Sequence, residues 1–176
     1  FNVLRQTSVN SIIAIGMTFV ILTGGIDLSV GSVLALTGAL CAGMMKAGVG
    51  DVPAVLLTLA AGFALGLGNG IFVAYARLQP FIVTLVSMTM LRGATLVFTG
   101  GRPIAARDYG AFFENVGGGY FMGIPIPIFI MVFLFFAGQY LLARFTFGRY
   151  VYAIGGNEEA AKLSGIKTER LTFLTF

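Results

Sequence analysis

Five apolar runs, each about as long as a bilayer is thick, constrain this chain more than any other feature. They extend from Ser8 to Ile26, Leu28 to Met45, Pro53 to Ala76, Leu78 to about Phe98, and Phe121 to Ala143. A helix crosses the roughly 30 Å hydrocarbon core with about 20 apolar residues. Backbone groups in hydrocarbon need partners within the protein, so a crossing segment is a helix or a strand of a closed barrel. Barrel strands alternate in polarity over about ten residues. These runs do not alternate. The expectation is an all-α, polytopic transmembrane helical bundle with about five spans and the start of a sixth at Leu171. Composition agrees, with 57% of residues hydrophobic and 10% charged, against about a quarter charged in soluble domains.

Several classes drop out. The net charge of +4 comes without a basic block, so no nucleic-acid partner is expected. With no histidine and one cysteine, neither a metal centre, a cofactor nor a disulfide framework is expected, and Cys41 reads as a packing residue. No secretory signal pattern is recognisable, because the first run is too long and lacks a cleavage site. The chain begins at Phe1 and ends in the apolar stretch Leu171 to Phe176, and reads as a single transmembrane domain, 1–176, cut at both ends.

The fourth run contains Arg92, which a span tolerates by snorkelling or by facing protein. Five alternating spans put Arg77, Arg144, Arg149, Lys162, Lys167 and Arg170 on one side, and Arg5, Lys46, Arg92, Arg102 and Arg107 on the other. Positive charge favours the cytoplasm. Six against five is only a weak signal of this kind; segment 144–170 is placed there largely because of the motif it carries, given below, and the Gly-rich stretch 99–119, with Arg102, Arg107, Asp108 and Glu114, lies outside.

Gly24 to Gly31 joins the first two runs with almost no polar spacer. Asp27 costs roughly 2.5–3.5 kcal/mol at a helix centre on insertion scales. Two readings stay open. Asp27 is the N-cap of the second run in a tight surface turn, or Gly24, Gly25, Asp27, Ser29 and Gly31 form a broken helix beside a translocation path. Asn69 either bonds across helices or touches a polar substrate. Gly62, Gly66 and Gly70 repeat every four residues, as do Gly31, Ala35, Ala39 and Gly43. Such ridges let helices approach closely.

The stretch Gly155 to Gly165 reads as a short capped helix. Asn157 is its N-cap, Glu158 and Glu159 sit at the positive end of the dipole and Lys162 nearer the negative end. Gly165 is the stop. Within it, Glu159-Ala160-Ala161-x-x-x-Gly165 resembles the EAA-x-x-x-G signature of ABC importer permeases. Leu4-Arg5-Gln6-Thr7-Ser8, Gly24 to Gly31, and Gly148-Arg149-Tyr150 leading to Gly155-Gly156-Asn157-Glu158 resemble the ribose-type monosaccharide branch. The longer signature continues to Ile and Leu-Pro, which nothing after Gly165 supplies.

The resemblance implies further helices before Phe1 and after Phe176. It also implies a second permease copy, a periplasmic sugar-binding protein and an ABC ATPase subunit docking at Asn157, Glu158, Glu159, Ala160, Ala161, Leu163 and Gly165, all at a bacterial inner membrane. No G-x-x-x-x-G-K-[ST] phosphate loop is present, so ATP hydrolysis falls outside these residues. The implied function is the transmembrane path for a small sugar, with no catalytic residues. The alternatives are a branched-chain amino-acid permease and a secondary transporter using Asp27. A scaffold or enzyme subunit has only the glycine ridges in its favour.

Overall fold

The structure, a computed structural model, describes residues 2–104 and 110–176. Its long helices follow the apolar runs: α1 (Asn2–Leu22), α2 (Val30–Lys46), α3 (Asp51–Ala74), α4 (Pro80–Thr99) and α6 (Ile126–Arg144). Between α4 and α6 come α5 (Ala111–Gly118) and a hairpin of β1 (Tyr120–Phe121) and β2 (Ile124–Pro125), paired antiparallel with Phe121 opposite Ile124. After α6 come α7 (Thr146–Gly156), α8 (Glu158–Leu163) and α9 (Thr168–Thr175).

Four of the described helices, α1, α3, α4 and α6, are long and apolar enough to cross a bilayer. The second expected span comes out shorter. Its helix has 17 residues and starts at Val30, not Leu28, because Asp27 and Ser29 form a side-chain-bonded turn ahead of it. The expected span from Phe121 likewise begins as a helix only at Ile126, after the hairpin. Pro80 at the start of α4 and Pro127 early in α6 sit in the first helical turn, where a missing N–H costs least. Arg92 does not interrupt α4.

In the bundle, α2 packs between α3 and α4, α1 lies along α6, and α9 lies along α3. The glycine ridge of α3 sets the last contact. A Cβ built on Gly66 would stand 2.6 Å from the Phe176 carbonyl, and one on Gly70 2.9 Å from the Phe173 carbonyl. Gly62 faces Thr37 of α2 at an ordinary 3.6 Å. On α2, Gly43 has no room for a side chain beside Phe98, whereas Gly31 has open space. Most apolar side chains point outward. Phe63, Phe133 and Val97 are each at least 70% exposed, as expected where a lipid surface replaces a packed interior.

The loops gather at two ends. At one, Asp51 accepts a hydrogen bond from the Phe112 N–H, 2.8 Å away, which seats α5 on the start of α3. Arg5 and Gly118 meet at the same end. At the other end lie the α3–α4 turn, α7, α8 and the end of α1.

Candidate functional site: a helix break joined to a capped short helix

The chain between α1 and α2 is a break with well-defined ends. α1 stops in a Schellman turn. Gly24 takes φ +80°, its N–H reaches the Ile21 carbonyl at 2.9 Å, and the Gly25 N–H reaches Val20 at 3.0 Å. Residues 25–28 then carry no helix. Gly25 is buried, and a Cβ there would press on Val20 and Phe176 at 3.0–3.1 Å. Glycine is therefore demanded twice in succession, once by backbone sign and once by crowding.

Non-helical backbone at membrane depth persists only where protein or water satisfies it. Here Asp27 and Thr84 bond that backbone, and Ser29, Asn69 and Ser87 carry the network on to α3 and α4. Asp27 Oδ1 accepts from the Ser29 backbone N–H at 2.7 Å and from the Ser29 hydroxyl at 2.6 Å. Ser29 Oγ accepts from Asn69 Nδ2 of α3 at 2.9 Å. Asn69 Oδ1 accepts from the Ser87 hydroxyl of α4 at 2.6 Å. Separately, the Thr84 hydroxyl donates to the Ile26 carbonyl at 3.1 Å and to its own helix at Pro80, 2.8 Å. Ser29, Asn69 and Thr84 are buried, with Thr84 at 0% and Ser29 at 1% exposure.

Asp27 is thus not the N-cap of α2. Ser29 holds that position, and its carbonyl accepts the first helical bonds from Ser32 and Val33. Asp27 lies two residues earlier and closes a turn onto Ser29. An Asp side chain commonly bonds the backbone two residues on, in an Asx-turn. Asn69 takes the interhelical role. Of the residues grouped at the break, Gly24, Gly25, Asp27, Ser29 and Asn69 come together. Gly31 does not; it sits exposed inside α2. Sequence reasoning missed Ser87 and Thr84, since an isolated hydroxyl in a span carries no signal of its partner. A cavity of about 260 Å³ borders Asp27, Ser29 and Asn69, with Ile13, Met17 and Val33 as apolar walls.

The short helix α8 has the caps its sequence implied. Asn157 Oδ1 accepts from the Ala160 N–H at 2.9 Å. Gly165, at φ +83°, ends it in a second Schellman turn, with Gly165 N–H to Lys162 and Ile166 N–H to Ala161. Its surfaces divide sharply. Leu163 is 88% exposed, while Ala161 is 4% exposed and packs against its own chain. A larger residue at Ala161 therefore disturbs this fold before it reaches any partner. Lys162 is also engaged internally. Its ammonium lies 3.0 Å from Glu169 Oε1, which Arg77 of the α3–α4 turn approaches at 3.3 Å. The Glu169 carboxyl is held below the usual carboxylate range by its own backbone N–H, then by the Lys162 hydrogen bond and charge, with Arg77 adding to it.

Break and α8 belong to one neighbourhood. α7 links them: Phe147 stacks obliquely on Phe19 of α1 with centroids 6.2 Å apart, and a Cβ on Gly155 would collide with the Leu22 carbonyl at the end of α1. A polar cleft of about 440 Å³ runs between Gly24, Arg77, Gln79, Glu158, Glu159 and Lys162. Among the described residues no cluster of three His, Cys, Asp or Glu could hold a metal ion. Of the charges in stretch 99–119, Glu114 lies on α5 and Arg102 just beyond α4, whereas Arg107 and Asp108 fall outside the described residues.

A polytopic helical membrane protein, with a hydrogen-bonded break near one end and a capped short helix beside it, is the class that fold and site define. Residues 1–176 match the family described as branched-chain amino acid transport system / permease component, and the chain belongs to that family. It is 51% identical over 177 residues to the ribose import permease protein RbsC of Haemophilus influenzae, covering 99% of this chain and 55% of that one. To RbsC of Bacillus subtilis it is 50% identical over 175 residues, covering 99% and 54%. To the galactofuranose transporter permease protein YtfT of Escherichia coli it is 38% identical over 178 residues, covering 99% and 51%. The chain spans about half the length of the curated relatives it matches. No solved structure matches it.

Proposed function

We propose that this chain is the transmembrane path subunit of an ATP-driven, binding-protein-dependent importer of a ribose-like monosaccharide, seated in the bacterial inner membrane. The observation that carries the reading is the 50–51% identity to ribose import permeases over almost all of these residues. The family description favours a branched-chain amino acid as the second reading of the cargo. The sugar is preferred because the relatives just described are named for ribose and galactofuranose.

In this reading α8 docks in the ATPase subunit, with Leu163 as its apolar anchor and Ala160, Glu158 and Glu159 on the open surface. The end bearing α8 and Arg77 is cytoplasmic. Stretch 99–119 is periplasmic and meets the binding protein through Arg102, Arg107, Asp108 or Glu114. A second permease copy completes the path. Transport proceeds by alternating access, with no covalent chemistry on this subunit. A secondary transporter using Asp27 is less favoured, since that carboxylate is already engaged by Ser29.

Co-purification of the ATPase with the full-length permease, alongside a Leu163→Asp variant, tests the reading. The parent retains the ATPase and shows sugar-stimulated ATP hydrolysis, and Leu163→Asp loses both while remaining folded in the membrane. Equal ATPase retention by the two proteins would remove α8 from the interface.

A further inference from the structure

α4 presents three faces. One is internal, with Val83, Thr84 and Leu91 buried. A second, along Ile82, Val86, Met90 and Val97, is wholly apolar and open, with Val97 85% and Met90 72% exposed. That is the composition of a surface against lipid tails. At 3.6 residues per turn Arg92 falls on neither face. It lies on a third, also exposed, with Leu85, Thr89 and Leu96.

Arg92 decides what that third face meets. It stands seven residues before Thr99, about 10 Å from the nearer end of the helix, and so lies away from the helix ends where snorkelling serves. Among the described residues it has no ion pair or hydrogen bond. The neighbouring threonines are undemanding, because Thr89 donates to the Val86 carbonyl at 2.9 Å and Thr95 to Leu91 at 2.8 Å. The guanidinium alone requires water or polar atoms at this depth.

We propose that the Leu85–Thr89–Arg92–Leu96 face of α4 borders a water-filled path, in which Arg92 binds the oxygens of a small polyhydroxylated solute. Five fixed N–H donors and no acceptor suit hydroxyl and ring oxygens. The solute class rests on the importer reading; the presence of water rests on Arg92 alone.

The test uses the full-length protein in native membranes, with Cys41 replaced by Ala. Single cysteines are placed at Thr89 and Leu96, and at Val86 and Met90 as the lipid-side comparison. A membrane-impermeant methanethiosulfonate reacts with thiolates. The wet face is expected to label at least about tenfold faster, the effect of roughly one unit in thiol ionisation. Ribose is expected to slow labelling at Thr89→Cys. Equal rates on the two faces would overturn the path. A spontaneous disulfide between two copies at Thr89→Cys, without labelling, would overturn it in favour of a subunit contact. Labelling that ribose leaves unchanged would overturn the solute assignment. Loss of the ATPase from the purified permease would overturn the importer reading and leave the contrast between faces standing.

Discussion

Gly24 and Gly165 end their helices in the same way and for different purposes. Both are left-handed, at φ +80° and +83°, and both carry the paired bonds of a Schellman turn. A Cβ added at either would meet nothing within 4 Å, so the local cost of replacing them is alike. After Gly165 the chain crosses only Ile166 and the exposed Lys167 before α9 begins. After Gly24 residues 25–28 pass without helix inside the bundle, where Asp27 and Thr84 bond the backbone and Ser29 and Asn69 tie the turn to α3. The stop signal is local, and what a stop is worth depends on what surrounds it.

Asn69→Leu separates the two sites most strongly. It strips a buried donor from Ser29 and a buried acceptor from Ser87, at about 1–3 kcal/mol for the polar groups left behind. Thermal unfolding in mild detergent should show that loss, and transport should fall with it. Asn157→Leu, the matching change at α8, removes a cap worth about 1 kcal/mol. It should loosen α8 with the spans intact. Equal losses from both changes would mean that the internal network adds nothing to an ordinary cap.

Next come the glycines themselves. Gly24→Ala and Gly165→Ala should each cost about 1–2 kcal/mol from the left-handed backbone. Denaturation should give near-equal values. Under the proposed importer function, transport assays should then differ, with Gly165→Ala losing ATPase coupling and Gly24→Ala losing the passage itself. Asp27→Asn is milder, because an amide oxygen still accepts from the Ser29 N–H; a stability change of about 1 kcal/mol or less is expected. Transport at parental rates with Asp27→Leu would show that the turn has no functional weight.

The smallest effect concerns Glu169, which ties α8 to Arg77. Its folded carboxyl titrates below the ordinary value of 4.5, so the tether is complete above that pH and is lost as pH falls through the folded value. Both cations are largely exposed, and solvent screens the pairs. A spin label at Leu163 should gain mobility only below about pH 4.5. In Glu169→Gln it should be mobile throughout, and a flat response in the parent would break the link.

Much of this was readable from the chain, and the failures share a cause. The spans are stretches of like residues, so their existence needs no knowledge of neighbours. The α8 caps are similarly local: Asn157 bonds three residues ahead and Gly165 reverses on itself. The break was readable as two open possibilities, and Gly24 and Gly25 mark it because only glycine suits a positive φ or a crowded backbone. Partners across the bundle were not readable. Ser87 lies 18 residues from Asn69, and Asn69 lies 40 from Ser29. Glu169 reaches Arg77 across 92 residues. The burial of Ala161 was missed for the same reason, since it depends on α7 and α9 folding back. α7 itself was overlooked, although Phe147, Val151 and Ile154 follow a helical spacing that a search for long runs passes over.

The four-member chain from Ser87 to Asp27 also has a sense of direction. Asp27 Oδ1 accepts from both the Ser29 N–H and the Ser29 hydroxyl, so the Ser29 proton points at Asp27. Its oxygen must then receive the amide N–H of Asn69, the amide oxygen must turn to α4, and Ser87 must give its proton there. One acceptor at one end thereby selects a single arrangement of protons across three helices. A neutral group at position 27 that both gives and receives would allow the reverse arrangement too. The contacts would survive, but the helices would share two hydrogen-bond orders where they now have one.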